Sequence, residues 1–200
     1  MAKKLATPPL EEEEGIPEIG VTGDLTDNSG EISDKLLGVP PGGECILYFD
    51  SPGGSPYGAL SLMTLLQVRQ LRATGIVTGE CSSAAIWPFA ACRRRIVTPF
   101  SVLLFHPMRW QSEEHVQLSE AAEWARHFQH LESQMDLLLA DALGCRVEKL
   151  TPWMQPGRYV SGPEFAAAGF AELVNPFQDG PIRGLFDRPP AHPETRRRRV

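Results

Sequence analysis

Cys45-Ile46-Leu47-Tyr48-Phe49 runs straight into Asp50-Ser51-Pro52-Gly53-Gly54-Ser55. A continuous apolar run closed by a turn of this kind reads as a strand buried on both faces, which is the habit of parallel sheets. The pattern repeats downstream. Tyr57 to Ala73 places Leu60, Met63, Leu66 and Leu71 at helical spacing, with Gly75 expected to cap the helix and Ile76-Val77-Thr78 to form the next strand. Gly79-Glu80-Cys81-Ser82-Ser83-Ala84-Ala85 follows, so Ser83 falls where a strand gives way to a helix over 84–91. Free N–H groups at such a junction favour an anion. Ile96-Val97 and Val102 to Phe105 read as further strands, the second leading into His106-Pro107.

Upstream, Ile16 to Leu25 reads as a first strand and Glu31 to Leu37 as a short helix stopped by Gly38. Downstream, Gln117 to Leu143 is expected to be the longest helix. Its apolar stripe would be Leu118, Ala121, Ala125, Phe128, Leu131, Met135, Leu138 and Ala142, with Gly144 as its stop. Ser161-Gly162-Pro163-Glu164 reads as a capping box for a helix through Ala168, and Ala171 to Val174 as a return to the sheet. Repeating strand–helix pairs define an α/β fold with helices packed on β-sheet.

Two hundred residues suit one domain with a substantial core, and a net charge of −6 argues against a nucleic-acid binder. Residues 1–15, with Glu11–Glu14, read as a flexible N-terminal arm, 16–177 as the folded domain, and 178–200, ending in Arg196–Arg199, as a flexible Pro/Arg-rich tail. Lys3 and Lys4 are followed by prolines and acids rather than an apolar segment, and no stretch has the length of a membrane span. Cys45, Cys81, Cys92 and Cys145 form no CxxC pair and read as reduced thiols, so the expected location is cytoplasmic.

Serine, histidine and a glycine turn in this order are the parts of an acyl-transfer site: a nucleophile, a general base and backbone donors for an oxyanion. Each part has a plainer reading. Ser83 at a helix start is also an ordinary N-cap, and Cys81 is the competing nucleophile. His127 and His130 stand at metal-binding spacing without a carboxylate or cysteine motif beside them, which favours a solvated or interface face and no metal. Trp110, Trp124 and Trp153 read as packing or subunit-contact residues.

The combination of Ser51-Pro52-Gly53-Gly54-Ser55, Gly79-xxx-Ser83, His106-Pro107 and Arg158-Tyr159-Val160-Ser161-Gly162-Pro163-Glu164 with Gly169 and Val174 resembles ClpP, the proteolytic subunit of the ATP-dependent Clp protease, within the ClpP/crotonase-like fold. The resemblance covers residues 16–174. It implies a serine-type endopeptidase with Ser83 as nucleophile, His106 as base, and the backbone N–H groups of Gly53, Gly54 and Ala84 as the oxyanion hole. It also implies a polypeptide substrate, a homo-oligomeric ring, a partner AAA+ ATPase unfoldase, and no cofactor. The serine–lysine scheme of the SppA-type relatives is disfavoured, since the lysines stand only at 3, 4, 35 and 149.

One family position departs. The triad aspartate falls at Gly157, and losing that acid alone reduces turnover by roughly 10⁴-fold in triad peptidases. A backbone carbonyl, Gln155 or an acid from a neighbouring subunit are the alternatives for orienting His106. Met108 to Glu114 also lacks the glycines usual in the family's ring-stacking and substrate-binding segment. The competing functions are a non-catalytic structural or regulatory subunit of a ClpP-type ring and, with less to support it, a crotonase-type acyl-CoA enzyme.

Overall fold

The computed structural model describes residues 15–109, 111 and 115–178. The expectations for the arm and the tail therefore lie almost wholly outside the described residues, as does Trp110. In chain order the elements are β1 (Glu18–Asp24), α1 (Leu25–Gly38), β2 (Glu44–Gly53), α2 (Pro56–Val68), β3 (Arg72–Cys81), α3 (Ile86–Ala91), β4 (Arg94–Val97) and β5 (Val102–Phe105). Then come α4 (Leu118–Ala142), α5 (Val147–Met154), β6 (Arg158–Ser161), α6 (Gly162–Ala167) and β7 (Glu172–Leu173).

Five strands form a parallel sheet in the order β1-β2-β3-β4-β7. At its upper end β3 also pairs with β5, which continues antiparallel into β6. The alternation within β2 shows why the run is apolar throughout. Cys45, Leu47 and Phe49 enter the main core under the helices, while Ile46 joins Ile76, Ile96 and Val174 on the opposite face. Phe49 and Phe89 meet edge to face at 5.3 Å, a geometry that adds to the area each ring buries. Asp24 starts α1 by accepting the Thr26 N–H at 2.7 Å, and Ser55 starts α2 by accepting that of Gly58.

Several sequence-based expectations are corrected. The second helix ends at Val68 rather than Ala73, because Gln70 adopts φ 54° and turns the chain into β3. Gly75 is therefore a strand residue. A Cβ there would stand 2.9 Å from both Cys92 Sγ and the Phe89 ring, so its lack of a side chain lets α3 lie close on the sheet. The first helix begins six residues before Glu31, immediately after β1, where Asp24 caps it.

Of the expected stripe on α4 only Met135 is buried, and Leu138 is exposed. Met135, Leu139 and Ala140 are buried, none of 118–134 is, and Leu118 is 87% exposed. The located contact with α3 is at this end, where the Trp87 indole N–H donates to the Met135 carbonyl. The short helix α5 was not expected. Its signal, Leu150 and Met154 at i, i+4, is interrupted by Pro152.

Gly75→Ala tests the close approach of α3 to the sheet. Overpacking of this kind costs roughly 1–3 kcal/mol, so the thermal midpoint should fall by a few to about ten degrees. An unchanged midpoint would show room at Gly75 that the packing denies.

Candidate active site

Ser83, His106 and Gly54 follow the carboxyl ends of β3, β5 and β2, where open parallel sheets leave a crevice. They line one cleft together with Pro56, Ala84, Trp87, Met108, Arg109, Glu132, Met135 and Asp136, enclosing about 520 Å³ open to solvent. The cleft thus draws together residues separated by up to 82 positions in the chain (Gly54 to Asp136).

Ser83 is not a helix cap. It sits in a single 3-10 turn, Ser83–Ala85, with φ 50°, a left-handed conformation unusual for a residue with a side chain. Gly53 makes room for it. A Cβ on Gly53 would lie 2.6 Å from Ser83 Cβ and 2.8 Å from Ala84 N, and φ at Gly53 is 101°. Ser82, the residue before the turn, is buried and held twice: its N–H donates to the Ser51 carbonyl at 3.0 Å, and its hydroxyl accepts from Leu104 N–H at 3.1 Å. Ser82 therefore ties the serine turn to the strand that carries His106.

Of the three expected oxyanion donors, Gly53 is already engaged. Its N–H donates to Ser51 Oγ at 3.1 Å, and that hydroxyl donates to the Gly23 carbonyl at 2.6 Å. Gly54 and Ala84 line the cleft. Gly54, at φ 126°, packs so closely on the Asp24 carboxylate that no side chain fits there.

His106 Nδ1 lies 2.6 Å from the Pro107 carbonyl oxygen. A carbonyl only accepts, so Nδ1 carries the proton and Nε2 is left as the basic nitrogen. Of the alternatives for holding the ring, a backbone carbonyl is thus the one in place; Gln155 is exposed. Among the described residues no hydrogen bond joins Ser83 Oγ to the imidazole. Such contacts are often long without substrate and tighten in the complex.

Gly157 does stand beside His106, but as a position shaped for glycine. A Cβ there would lie 2.9 Å from His106 Cα and from the Phe105 carbonyl oxygen, and φ is 109°. Both backbone conformation and space exclude a side chain at the position where the resemblance implies an acid.

Sequence reasoning missed Glu132 and Asp136, which reach the cleft from α4. Their spacing of i, i+4 puts them on one helix face, a signal that the expected apolar stripe concealed. Burial, and then the charge of Glu132, push the Asp136 carboxyl up to about 6.

The other candidates fall away from the cleft. Cys81 is buried, and burial first of all raises its thiol well above the usual range, which suppresses the thiolate a nucleophile needs. The Tyr57 hydroxyl and His127 Nε2 are hydrogen-bonded at 2.7 Å, and His130 is exposed. Trp153 packs with Phe105, Phe165 and Phe170 beneath the site.

The model of the Clp protease family matches residues 24–176. The chain belongs to the Clp protease family. It is similar to two proteins named ATP-dependent Clp protease proteolytic subunit, from two strains of Bacteroides fragilis. Each is 28% identical over 117 residues, which cover 58% of this chain and 56% or 52% of the relative. The chain spans about half the length of the curated relatives it matches. The α/β architecture read from the sequence is the one observed. No helix among the described residues is long and apolar enough to cross a membrane.

Two outcomes test the geometry. Gly157→Asp should not restore a triad: forcing a side chain into that conformation costs about 1–3 kcal/mol, so the variant should melt lower and react no faster with a serine-directed probe. A faster reaction would show that the position accepts an acid. Native maleimide labelling should modify Cys145, the one half-exposed thiol, well before Cys45, Cys81 and Cys92, which are buried; mass spectrometry of the peptides reads the order, and early loss of Cys81 would reopen the thiol reading.

Proposed function

We propose that the protein is a ClpP-like serine-type endopeptidase that hydrolyses peptide bonds through an acyl-enzyme. The observation that carries the reading is the convergence of a left-handed serine, a histidine with Nε2 as its basic nitrogen, and a glycine turn on one cleft. Family membership supports it.

Ser83 Oγ attacks the scissile carbonyl carbon while His106 Nε2 takes the hydroxyl proton. The carbonyl oxygen becomes an oxyanion, held by the backbone N–H groups of Gly54 and Ala84. The C–N bond then breaks, and the imidazolium returns its proton to the departing amine, leaving an ester on Ser83. Water, deprotonated by the same nitrogen, attacks the ester; the acid product leaves and Ser83 regains its proton.

A homo-oligomeric ring with an AAA+ ATPase partner, acting on extended polypeptide in the cytoplasm, completes the proposal. Its support is the exposed leucines of α4, Leu118, Leu137 and Leu138, which a neighbouring subunit could cover. The unpaired state of all four cysteines is compatible with a reducing compartment. The second reading, a non-catalytic ring subunit, is favoured by one observation: Gly157 has no room for the family's acid.

Labelling with a fluorophosphonate separates the two. The wild type should be labelled and Ser83→Ala should not; His106→Ala should slow labelling by roughly 10²–10⁴-fold. A folded wild type that stays unlabelled where an active ClpP reacts would leave the non-catalytic subunit as the function. Native mass spectrometry should give a multiple of the 22.0 kDa chain, and a monomer would remove the ring from the proposal.

A further inference from the structure

The Pro107–Met108 peptide group is bonded at both ends. Its carbonyl oxygen accepts from His106 Nδ1 at 2.6 Å, and its N–H donates to Glu132 Oε1 at 2.6 Å. One planar unit thus stands between a carboxylate and the imidazole. Hydrogen bonds in series polarise one another. A carboxylate drawing on the amide N–H increases the negative charge on the carbonyl oxygen, which strengthens its hold on Nδ1–H.

We propose that Glu132 is a positioning residue for the peptidase reaction, holding His106 through the Pro107–Met108 peptide group in the role that a directly bonded acid plays in a serine–histidine–acid triad. The inference rests on the peptidase reading for its catalytic meaning. Glu132 does two things there: it fixes the carbonyl towards Nδ1, which sets the tautomer, and it stabilises the imidazolium that forms when Nε2 takes the serine proton. No proton leaves the imidazole towards Glu132, so the chain of bonds is unchanged through the cycle.

The fold supplies the anchor. The Trp87 indole N–H donates to the Met135 carbonyl at 2.8 Å, which pins α4 against α3 one turn from Glu132. Glu132 is half-buried, and its charge, after burial, helps to raise the Asp136 carboxyl. Among the described residues the titratable and charged groups lining the cleft are His106, Arg109, Glu132 and Asp136. Of these, Glu132 is the one hydrogen-bonded to the segment that holds the imidazole. A Cβ on Gly157 would meet His106 Cα and Cβ, so at that point the glycine backbone lies close to His106.

The test compares full-length wild type, Glu132→Gln, Glu132→Ala and Asp136→Asn by fluorophosphonate labelling from pH 5 to 9. Histidine-selective ¹⁵N NMR of the same proteins reads the His106 tautomer and titration, with His106→Ala identifying its signal. Glutamine can still accept from Met108 N–H but carries no charge. Glu132→Gln should therefore keep the Nδ1–H tautomer, lower the His106 titration midpoint by about one pH unit, and slow labelling about 10- to 100-fold, the usual worth of a charge-assisted bond. Glu132→Ala should lose the single tautomer as well and label more slowly still.

An unchanged His106 midpoint in Glu132→Gln overturns the proposal, whether or not labelling slows. So does an equal shift in Asp136→Asn, since the effect would then belong to the charge of the cleft as a whole. Should Glu132→Ala fail to fold, the glutamine variant alone decides. A wild type that resists the probe while its His106 midpoint still answers to Glu132 would sink the peptidase reading and leave the relay standing.

Discussion

Ser82 is the point on which the site depends. Its N–H extends the β2–β3 pairing one step beyond the strands by donating to the Ser51 carbonyl, and its hydroxyl accepts from Leu104 on β5. Three loops at the carboxyl ends of β2, β3 and β5 are thereby set relative to one another by a buried residue that takes no part in chemistry. Buried hydrogen bonds of this kind add little net stability, but leaving their partners unsatisfied is expensive. They therefore specify register more than they stabilise. Ser51 serves the same end from the other side, bonded to Gly23 and Gly53.

The register in turn explains the conformation of Ser83. With Ser82 held at both ends, the chain turns within one residue, and Ser83 takes up φ 50° directly over Gly53. The two positions are complementary: one accepts backbone strain, the other gives up its side chain to accommodate it. That pairing also sets the two glycines of the turn apart. Gly53 is consumed by packing and by Ser51, so the turn offers its donor at Gly54.

The sheet is legible in the sequence because its strands are short, apolar and bounded by turn residues. The serine and the histidine are legible because each comes just after such a strand, at the end where a parallel sheet opens its crevice. Where sequence and structure differ, tertiary context overrides a local signal. Gly75 looks like a helix stop in sequence, but its function is to admit Phe89 and Cys92. Leu118 looks like core by periodicity, but among the described residues nothing covers it. The pair Glu132 and Asp136 could not be assigned to the cleft from the chain alone, because only the packing of Trp87 on α4 brings residues so distant in sequence to the imidazole. Gly157 reads in sequence as a missing acid; that it also lies against the His106 backbone is visible only in the fold.

The absence at Gly157 and the presence of Glu132 are connected by the geometry of an imidazole. A ring with Nε2 facing a serine has one remaining nitrogen, and that nitrogen can be held from only one direction at a time. In this chain Nδ1 already meets the Pro107 carbonyl. An acid projecting from position 157 would have to displace that bond, leaving the carbonyl unsatisfied, and would also crowd His106 Cα. The other side of that peptide group remains open to a charge, since its N–H faces α4. Among the described residues it is Glu132, on the adjoining face of α4, that meets that N–H, and a carboxylate there leaves the Nδ1 contact in place.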